Sequence, residues 1–233
     1  MTNPIAVFGS INMDLVVYSS ARPKDGETIF GSSFHSFQGG KGANQAVAAS
    51  RLGIDVSFIG KIGADIFGKQ LRDNLVKENI NVDYLEECNG ESGVAFINVF
   101  EKTSENQIIV VPGANSYVES SQVPDQLLSS TDILVSQLEI PPHQVEDLFS
   151  RARNRDCFRI LNAAPIIAFE RNLISETDLL VVNELELESL SGSSIDKDDL
   201  DTVIIATESL NLQDSQSVVV TLGSKGAYVQ KGK

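Results

Sequence analysis

Gly39-Gly40-Lys41-Gly42-Ala43-Asn44-Gln45-Ala46 follows a polar, β-prone run, Thr28 to Gln38, and opens an alanine-rich segment, Ala43 to Leu52, with helical character. Three glycines within four residues suit a helix entrance better than a helix interior. They let the backbone turn sharply and let a ligand approach main-chain N–H groups. Lys41 adds a flexible cation, and Asn44, one turn inside, adds an amide with donors and an acceptor. Such an entrance suits a polyhydroxyl or anionic ligand, and it equally suits a strand–helix turn that only packs closely. The spacing is neither that of a Walker A loop nor that of a Gly-x-Gly-x-x-Gly dinucleotide fingerprint.

Before this stretch, Ile5 to Phe8 is a short apolar run ended by Gly9-Ser10, which predicts a buried central strand. Leu15 to Tyr18 is a second β-rich run. Asn12 and Asp14 lie two apart, so on an extended backbone both side chains point to one side. An amide and a carboxylate aimed together at a strand's C-terminal end can bind vicinal hydroxyls, where open α/β sheets hold ligands. An Asx turn leaving the strand is the alternative use of the same residues. Lys24-Asp25-Gly26-Glu27 marks a turn into Thr28–Gln38, where aromatic and small polar residues mix as in an exposed sheet.

After the helix, Gly53 is placed as its C-cap and Val56 to Ile59 as the next strand. Asp65 then sits where it can cap a helix over Ile66 to Asn79 or touch a ligand. Asn81 to Tyr84 is a short strand, and Gly93–Phe100 with Gln107–Val111 form a hairpin around the polar tip Glu101–Asn106. With Thr28–Gln38 the hairpin makes a four- to five-stranded flap, inserted in two pieces at about 15–38 and 93–111. Beyond Pro112-Gly113-Ala114-Asn115 the alternation is regular. Strands at Ile133–Ser136, Phe158–Leu161, Leu179–Val182 and Val218–Val220 each end in polar or small residues, and Pro141–Arg153 is a helix. The pattern predicts a doubly wound, mostly parallel α/β sheet flanked by helices, with polar groups gathered along one edge and a small β-sheet lid.

The 233 residues suffice for one large α/β domain without a disulfide or metal staple. A formal charge of −14 argues against nucleic acid and anionic membranes as partners. Any anionic substrate must therefore meet local positive charge, backbone donors or a bound cation. Cys88 and Cys157 lack metal-ligand spacing and are expected as reduced thiols. No apolar run approaches the roughly 20 residues of a membrane span, and Met1 to Pro4 leads straight into a strand without a signal peptide, so a cytoplasmic location is expected.

At Gly-Ser-Ile-Asn-Met-Asp (9–14), Gly-Gly-Lys-Gly-Ala-Asn-Gln-Ala (39–46), Gln-Leu-Glu (137–139), Asn-Ala-Ala-Pro (162–165), Asn-Glu-x-Glu (183–186) and Thr-Leu-Gly-Ser-Lys-Gly (221–226), the chain resembles the ribokinase branch of the phosphofructokinase-B sugar-kinase family. The resemblance runs through essentially the whole chain, in order. It implies ATP-dependent phosphorylation of a sugar's primary hydroxyl with Mg²⁺, the sugar being D-ribose and the product ribose 5-phosphate. It assigns Asn12, Asp14, Gly40, Lys41, Gly42, Asn44 and Glu139 to the sugar, and Asn183, Thr221, Gly223, Ser224, Lys225 and Gly226 to the nucleotide. Glu186 is assigned to magnesium, directly or through water. The flap corresponds to a lid that closes over the sugar and forms a homodimer interface.

The family's second signature, Asp-Thr-x-Gly-Ala-Gly-Asp, is absent from the 233 residues, and the family spacing places it some 20 residues beyond Lys233. It carries the base aspartate and the anion hole, with the potassium site expected nearby, so residues 1–233 are expected to form an incomplete ribokinase-like domain. Gly63-Ala64-Asp65 and Gly113-Ala114-Asn115 do not substitute for it. Losing a general base alone costs about 10²- to 10⁴-fold in rate. Two further readings follow: a sugar-binding or dimerisation module without catalysis, and a kinase for another sugar or a nucleoside.

Overall fold

Ile5–Phe8 sends Ala6 and Phe8 to one face of a sheet and Val7 to the other, and a hydrophobic core has grown on each face around them. The computed structural model describes residues 4–103, 105–167, 172–196 and 198–232. Met1 to Asn3, Lys233 and Ser104 at the expected hairpin tip lie outside them. In chain order the first elements are β1 (Ile5–Phe8), β2 (Asn12–Ser19), β3 (Gly31–Gly39), α1 (Lys41–Arg51), β4 (Val56–Gly63), α2 (Ile66–Lys77), β5 (Asn81–Cys88), β6 (Gly93–Phe100) and β7 (Glu105–Val111). There follow α3 (Asp125–Ser129), β8 (Ile133–Gln137), α4 (Pro142–Arg153), β9 (Phe158–Asn162), α5 (Asn172–Ser175), β10 (Leu179–Asn183), α6 (Glu184–Ser191), α7 (Leu200–Glu208), β11 (Ser217–Thr221) and β12 (Ala227–Lys231).

Eight strands form the large sheet in the order β12-β11-β10-β9-β8-β1-β4-β5, parallel throughout except for antiparallel β12. The chain leaves β1 towards β4 and β5, then returns to β8 on its other side and proceeds outward. The winding therefore reverses between β1 and β8, and a crevice opens there beyond the strands' C-terminal ends. One core packs Ala43 and Ala46 of α1 and Leu71 and Leu75 of α2 against Val7 and Phe58. The other packs Leu148 and Phe149 of α4, Leu187 of α6 and Val203 of α7 against Phe8, Leu134, Leu180 and Val218. Truncating a fully buried leucine such as Leu148 to alanine costs about 2–5 kcal/mol.

The second sheet has four strands in the order β3-β2-β6-β7, with β2 and β6 parallel and the outer pairs antiparallel. It is built from two separate stretches of chain, and β3 is exposed at every residue until Gly39. Its root is fastened to the large sheet by Asp65. That carboxylate caps α2 by accepting from Gly68 N at 2.7 Å, and it also accepts from Ser92 N at 2.8 Å and Ser92 Oγ at 2.7 Å. Burial raises the Asp65 carboxyl, but the hydrogen bonds from Ser92 and Gly68 outweigh it and hold it below its usual value.

Several boundaries differ from the sequence expectation. β3 starts at Gly31 rather than Thr28, and β5 continues to Cys88 because β4 extends beside it to Gly63. Four helices, α3, α5, α6 and α7, and the edge strand β12 have no counterpart in the sequence reading; β12 alternates exposed Ala227, Val229 and Lys231 with half-buried Tyr228 and Gln230. Both cysteines are free, and burial pushes the Cys157 thiol up to about 11. Among the described residues no helix is long and apolar enough to cross a membrane.

Candidate active site

At the crevice between β1 and β8, helix α1 begins without a side-chain cap of its own, because its N-cap is Gly40. Glu139, just beyond β8, supplies the missing acceptor: its Oε2 takes Lys41 N at 3.0 Å and Ser10 Oγ at 2.6 Å. A carboxylate here also meets the positive end of the helix dipole. Ser10 closes the arrangement by accepting Gly42 N on Oγ at 3.3 Å and Ala43 N on its carbonyl at 2.9 Å. Gln137, fully buried at the end of β8, donates to Gln45 Oε1 at 2.5 Å and ties the same helix to the sheet.

The glycines have distinct reasons. Gly40 has φ 92°, and a Cβ there would lie 2.8 Å from Asn12 N and from Ile11 Cα. A Cβ on Gly42 would lie 2.7 Å from Ser10 N. Both glycines let α1 press against the backbone between β1 and β2. Gly42, which the resemblance assigns to the sugar, donates its N–H to Ser10 Oγ and packs against the backbone of residues 9 and 10. At Gly39 a Cβ would fall 2.1 Å from Asp14 Oδ2, so that glycine makes room for the carboxylate.

Asp14 is half-buried, and its carboxyl is raised from 3.8 to about 6, first by desolvation and then by the charge of Glu139. Asn12 lies two residues earlier on the same strand face and is buried, its Oδ1 accepting from Asn115 Nδ2 at 2.7 Å. Lys41 makes no salt bridge with the described residues, and Asn44 is exposed in the first turn of α1. A cavity of about 510 Å³ adjoins Lys41 and Glu139, with apolar walls that include Val110, Pro112, Leu138, Ile140 and Pro165. The structure thus brings Asn12, Asp14, Gly40, Lys41 and Glu139 to one crevice. The arrangement offers carboxylates, an amide and an ammonium, which match the donors and acceptors of a polyol.

The other group lies along the same sheet edge, at the ends of β10 and β11. Asn183 and Glu186 form a capping box at the start of α6: Glu186 N donates to Asn183 Oδ1 and Asn183 N to Glu186 Oε2, both at 2.8 Å. Thr221 Oγ1 donates to Val182 O at 3.3 Å. Gly223, Ser224 and Lys225 form a single 3-10 turn closed by Leu222 N to Gly226 O at 2.8 Å, and all of Gly223 to Gly226 is exposed. Gly223 and Gly226 have φ 54° and 92°, and a Cβ on either would meet nothing within 4 Å. Lys225 pairs with Asp198 beside a cavity of about 260 Å³ lined also by Leu222 and Tyr228.

The turn is exposed and has space beside it for a ligand. No group of three or more His, Cys, Asp or Glu among the described residues could hold a metal ion. One oxygen of Glu186 is already taken by the cap, so Mg²⁺ here would need phosphate oxygens and water beside that carboxylate, its usual manner of binding.

Two organising residues were not singled out by the sequence. Ser10 reads as the end of the first strand within the Gly-Ser-Ile-Asn-Met-Asp motif, with no role of its own, and Asn115 as a boundary in Pro-Gly-Ala-Asn and in Gly113-Ala114-Asn115, which is set aside. Asn115 is fully buried and bonds to Ile11 and Asn12 from more than 100 residues away, a relation that no local pattern carries.

A profile described as pfkB family carbohydrate kinase matches residues 2–233. Ribokinase of Haemophilus influenzae is 37% identical over 237 residues, covering 100% of this chain and 76% of its own length. Deoxyribokinase of Salmonella typhi is 35% identical over 230 residues, with 96% and 73% covered. The structure of Arabidopsis thaliana ribokinase complexed with ribose and ATP superimposes with a TM-score of 0.87 at 27% identity, over 99% of this chain and 75% of that one. The profile match over nearly the whole chain and the 37% identity to a ribokinase show that this chain belongs to the pfkB family of carbohydrate kinases.

Proposed function

We propose that the sugar taken by this kinase fold is ribose, held by Asn12, Asp14, Lys41 and Glu139, with Gly40 giving close backbone approach and Asn44 reaching in from α1. The observation that carries the reading is the half-buried Asp14 carboxylate, set over Gly39 beside Glu139 at the switch-point crevice. A desolvated carboxylate with a neighbouring amide is costly to keep unless a ligand's hydroxyls occupy it. Lys41 places one positive charge in a chain of net charge −14, where a transferring phosphoryl group needs compensation.

ATP binds at the other end of the same edge, with Thr221, Gly223, Ser224, Lys225 and Gly226 around the nucleotide and Asn183 and Glu186 towards its phosphates and Mg²⁺. When bound, ATP supplies the phosphoryl group, and Mg²⁺ neutralises the charge developing on it. The small sheet acts as a lid: Asp14, Ala95 and Val110 lie on one of its faces in register, so folding that face over the crevice excludes water. Its other face presents exposed Val17, Phe34, Phe96 and Ile109, apolar area suited to a second copy of the chain as a homodimer. The acidic surface and the lack of a membrane-crossing helix among the described residues fit a cytoplasmic enzyme without a nucleic-acid partner.

The direct test is calorimetric titration of the 233-residue chain with D-ribose, 2-deoxyribose and fructose, with ribose-dependent ADP release measured alongside. The reading expects ribose to bind and Asp14→Ala to abolish binding. Tighter binding of 2-deoxyribose would favour the second reading, suggested by the Salmonella typhi relative. No binding of any sugar by folded protein would reject both.

A further inference from the structure

Asn115 is fully buried, and its amide bonds all end where the small sheet joins the large one. Its Oδ1 accepts from Ile11 N at 3.0 Å. Its Nδ2 donates to Asn12 Oδ1 at 2.7 Å, Pro112 O at 3.0 Å and Ile11 O at 3.1 Å. Ile11 links β1 to β2, and Pro112 follows β7 directly. Asn12 is the first residue of β2 and pairs in register with Gly39, the last of β3, and Gly93, the first of β6. One amide thus bonds to the roots of β2 and β7 and lies against that of β6, while Asn12's pairing with Gly39 carries the link to β3. The surrounding glycines are shaped to it: a Cβ on Gly93 would lie 2.2 Å from both Asn115 Nδ2 and Asn12 Oδ1. Gly113, at φ 51°, brings the returning chain so close that Ala114 N donates to Glu91 O at 2.9 Å.

The bond to Asn12 also fixes which way that amide points. With Oδ1 accepting from Asn115, a flipped Asn12 would set two NH₂ groups against each other. The Asn12 Nδ2 donor is thereby directed away from Asn115, and it makes no hydrogen bond with the described residues. We propose that Asn115 is a positioning residue that holds Asn12 as a hydrogen-bond donor to a sugar hydroxyl and joins that orientation to the root of the small sheet. The proposal rests on the sugar reading above. Its consequence is coupling: displacement of the β7 exit at Pro112 loosens the amide that aims Asn12, so position of the small sheet and grip on the sugar change together.

Asn115→Asp separates positioning from simple packing. The carboxylate keeps the volume and the acceptor for Ile11 N, but it faces Asn12 Oδ1 with another acceptor and so forces the Asn12 amide to turn. Side-chain amide NMR of ¹⁵N-labelled chain, with the Asn12 signals assigned from their loss in Asn12→Asp, reads the orientation without any sugar. The expected result is displaced Asn12 signals in Asn115→Asp and ribose affinity weakened about 10- to 100-fold, with main-sheet signals unchanged. Unmoved Asn12 signals, or wild-type ribose affinity in this variant, would overturn the proposal. Should Asn115→Asp fail to fold, Asn12→Asp decides: it retains the bond from Asn115 and loses only the donor, so it must bind ribose about 10- to 100-fold more weakly. Wild-type affinity in Asn12→Asp overturns the proposal as well. A wild-type chain that binds no ribose rejects the sugar reading itself, while the orientation signals still decide whether Asn115 sets Asn12.

Discussion

Glycines at the two ends of the candidate site serve opposite purposes. Around α1, Gly40 and Gly42 are packed so tightly that any Cβ would meet backbone within 2.8 Å, whereas Gly223 and Gly226 face open space. The hydrogen bonds follow the same division. On the side proposed for the sugar they join residues 98, 104 and 129 apart, from Lys41 to Glu139, Ile11 to Asn115 and Ser10 to Glu139. On the nucleotide side Asn183 and Glu186 cap their own helix three residues apart, and the turn after β11 closes on itself. The first region is held in shape by the whole fold, and the second is a set of local turns placed on a sheet edge. Preorganisation at the sugar end lowers the ordering cost of binding there. The end proposed for the nucleotide has open space but few long-range contacts to fix it.

Gly42→Ala is the severest break in that contrast. The new methyl meets Ser10 N and Gly9 C, both backbone and neither able to swing aside, so a cost of about 3 kcal/mol or more is expected. For a chain of this size that lowers the melting temperature by roughly 6–12 °C. Thermal denaturation followed by circular dichroism measures it. A melting temperature within a degree of wild type would show that the helix entrance is looser than its geometry indicates.

Asp14→Asn comes next, with opposite signs for function and stability. The Asp14 carboxyl titrates near 6 in the folded chain against 3.8 unfolded, so the folded state favours its protonated form. That contribution is complete below about pH 3.8 and is lost as pH rises through about 6. At pH 7.5 the ionised group is a liability, and a neutral asparagine removes it. Because the side chain is only half-buried, solvent screening reduces the gain to about 1 kcal/mol, or roughly 2–4 °C. Ribose affinity should meanwhile fall about 10- to 100-fold, since a charged acceptor is lost. In the wild type, affinity should decline as pH drops through 6, and Glu139→Gln should move that midpoint down without bringing it to 3.8, because desolvation is the larger cause. A midpoint that ignores Glu139 would separate the two carboxylates.

What could be seen from sequence divides along the same line. The presence and order of the strands, the helix entrance at Gly39 to Gly42 and the Asp65 cap are local matters of apolar runs, turn residues and short polar side chains, and they appear as expected, although several strands run longer or start later than read. The gathering of Asn12, Asp14, Lys41 and Glu139 came through motif resemblance. Their division of labour did not, because it is made by contacts between distant residues. Nothing near Glu139 in sequence signals that it caps α1, and nothing near Asn115 signals that it fastens Asn12. The elevation of Asp14 needs burial and the charge of Glu139, 125 residues away in sequence, and no local pattern carries either. On the nucleotide side the reverse held: the motif was visible, while the capping box and β12 were overlooked beside it.

Gly223→Ala tests the open side. Its φ of 54° is left-handed, so alanine there costs about 1–2 kcal/mol from backbone strain alone, with no clash added. The melting temperature should fall by a few degrees, well short of Gly42→Ala. Ribose affinity should not move. A ribose effect as large as that of Asp14→Asn would mean that the two ends are mechanically joined.

The smallest change in stability is expected for Glu186→Gln, which is why it is informative. A glutamine at the third helical position still accepts from Asn183 N, so the capping box survives and stability should shift by no more than a few tenths of a kcal/mol. The charge is gone, however. If Glu186 helps to hold Mg²⁺ against the nucleotide phosphates, the magnesium concentration needed for half-maximal ATP binding should rise several-fold in a calorimetric titration. ATP binding without magnesium should stay as it was, or strengthen slightly as one negative charge leaves the edge. An unchanged magnesium requirement with an intact melting temperature would make Glu186 a helix cap alone. The nucleotide side would then be local in function as well as in structure, with its metal held by phosphates and water.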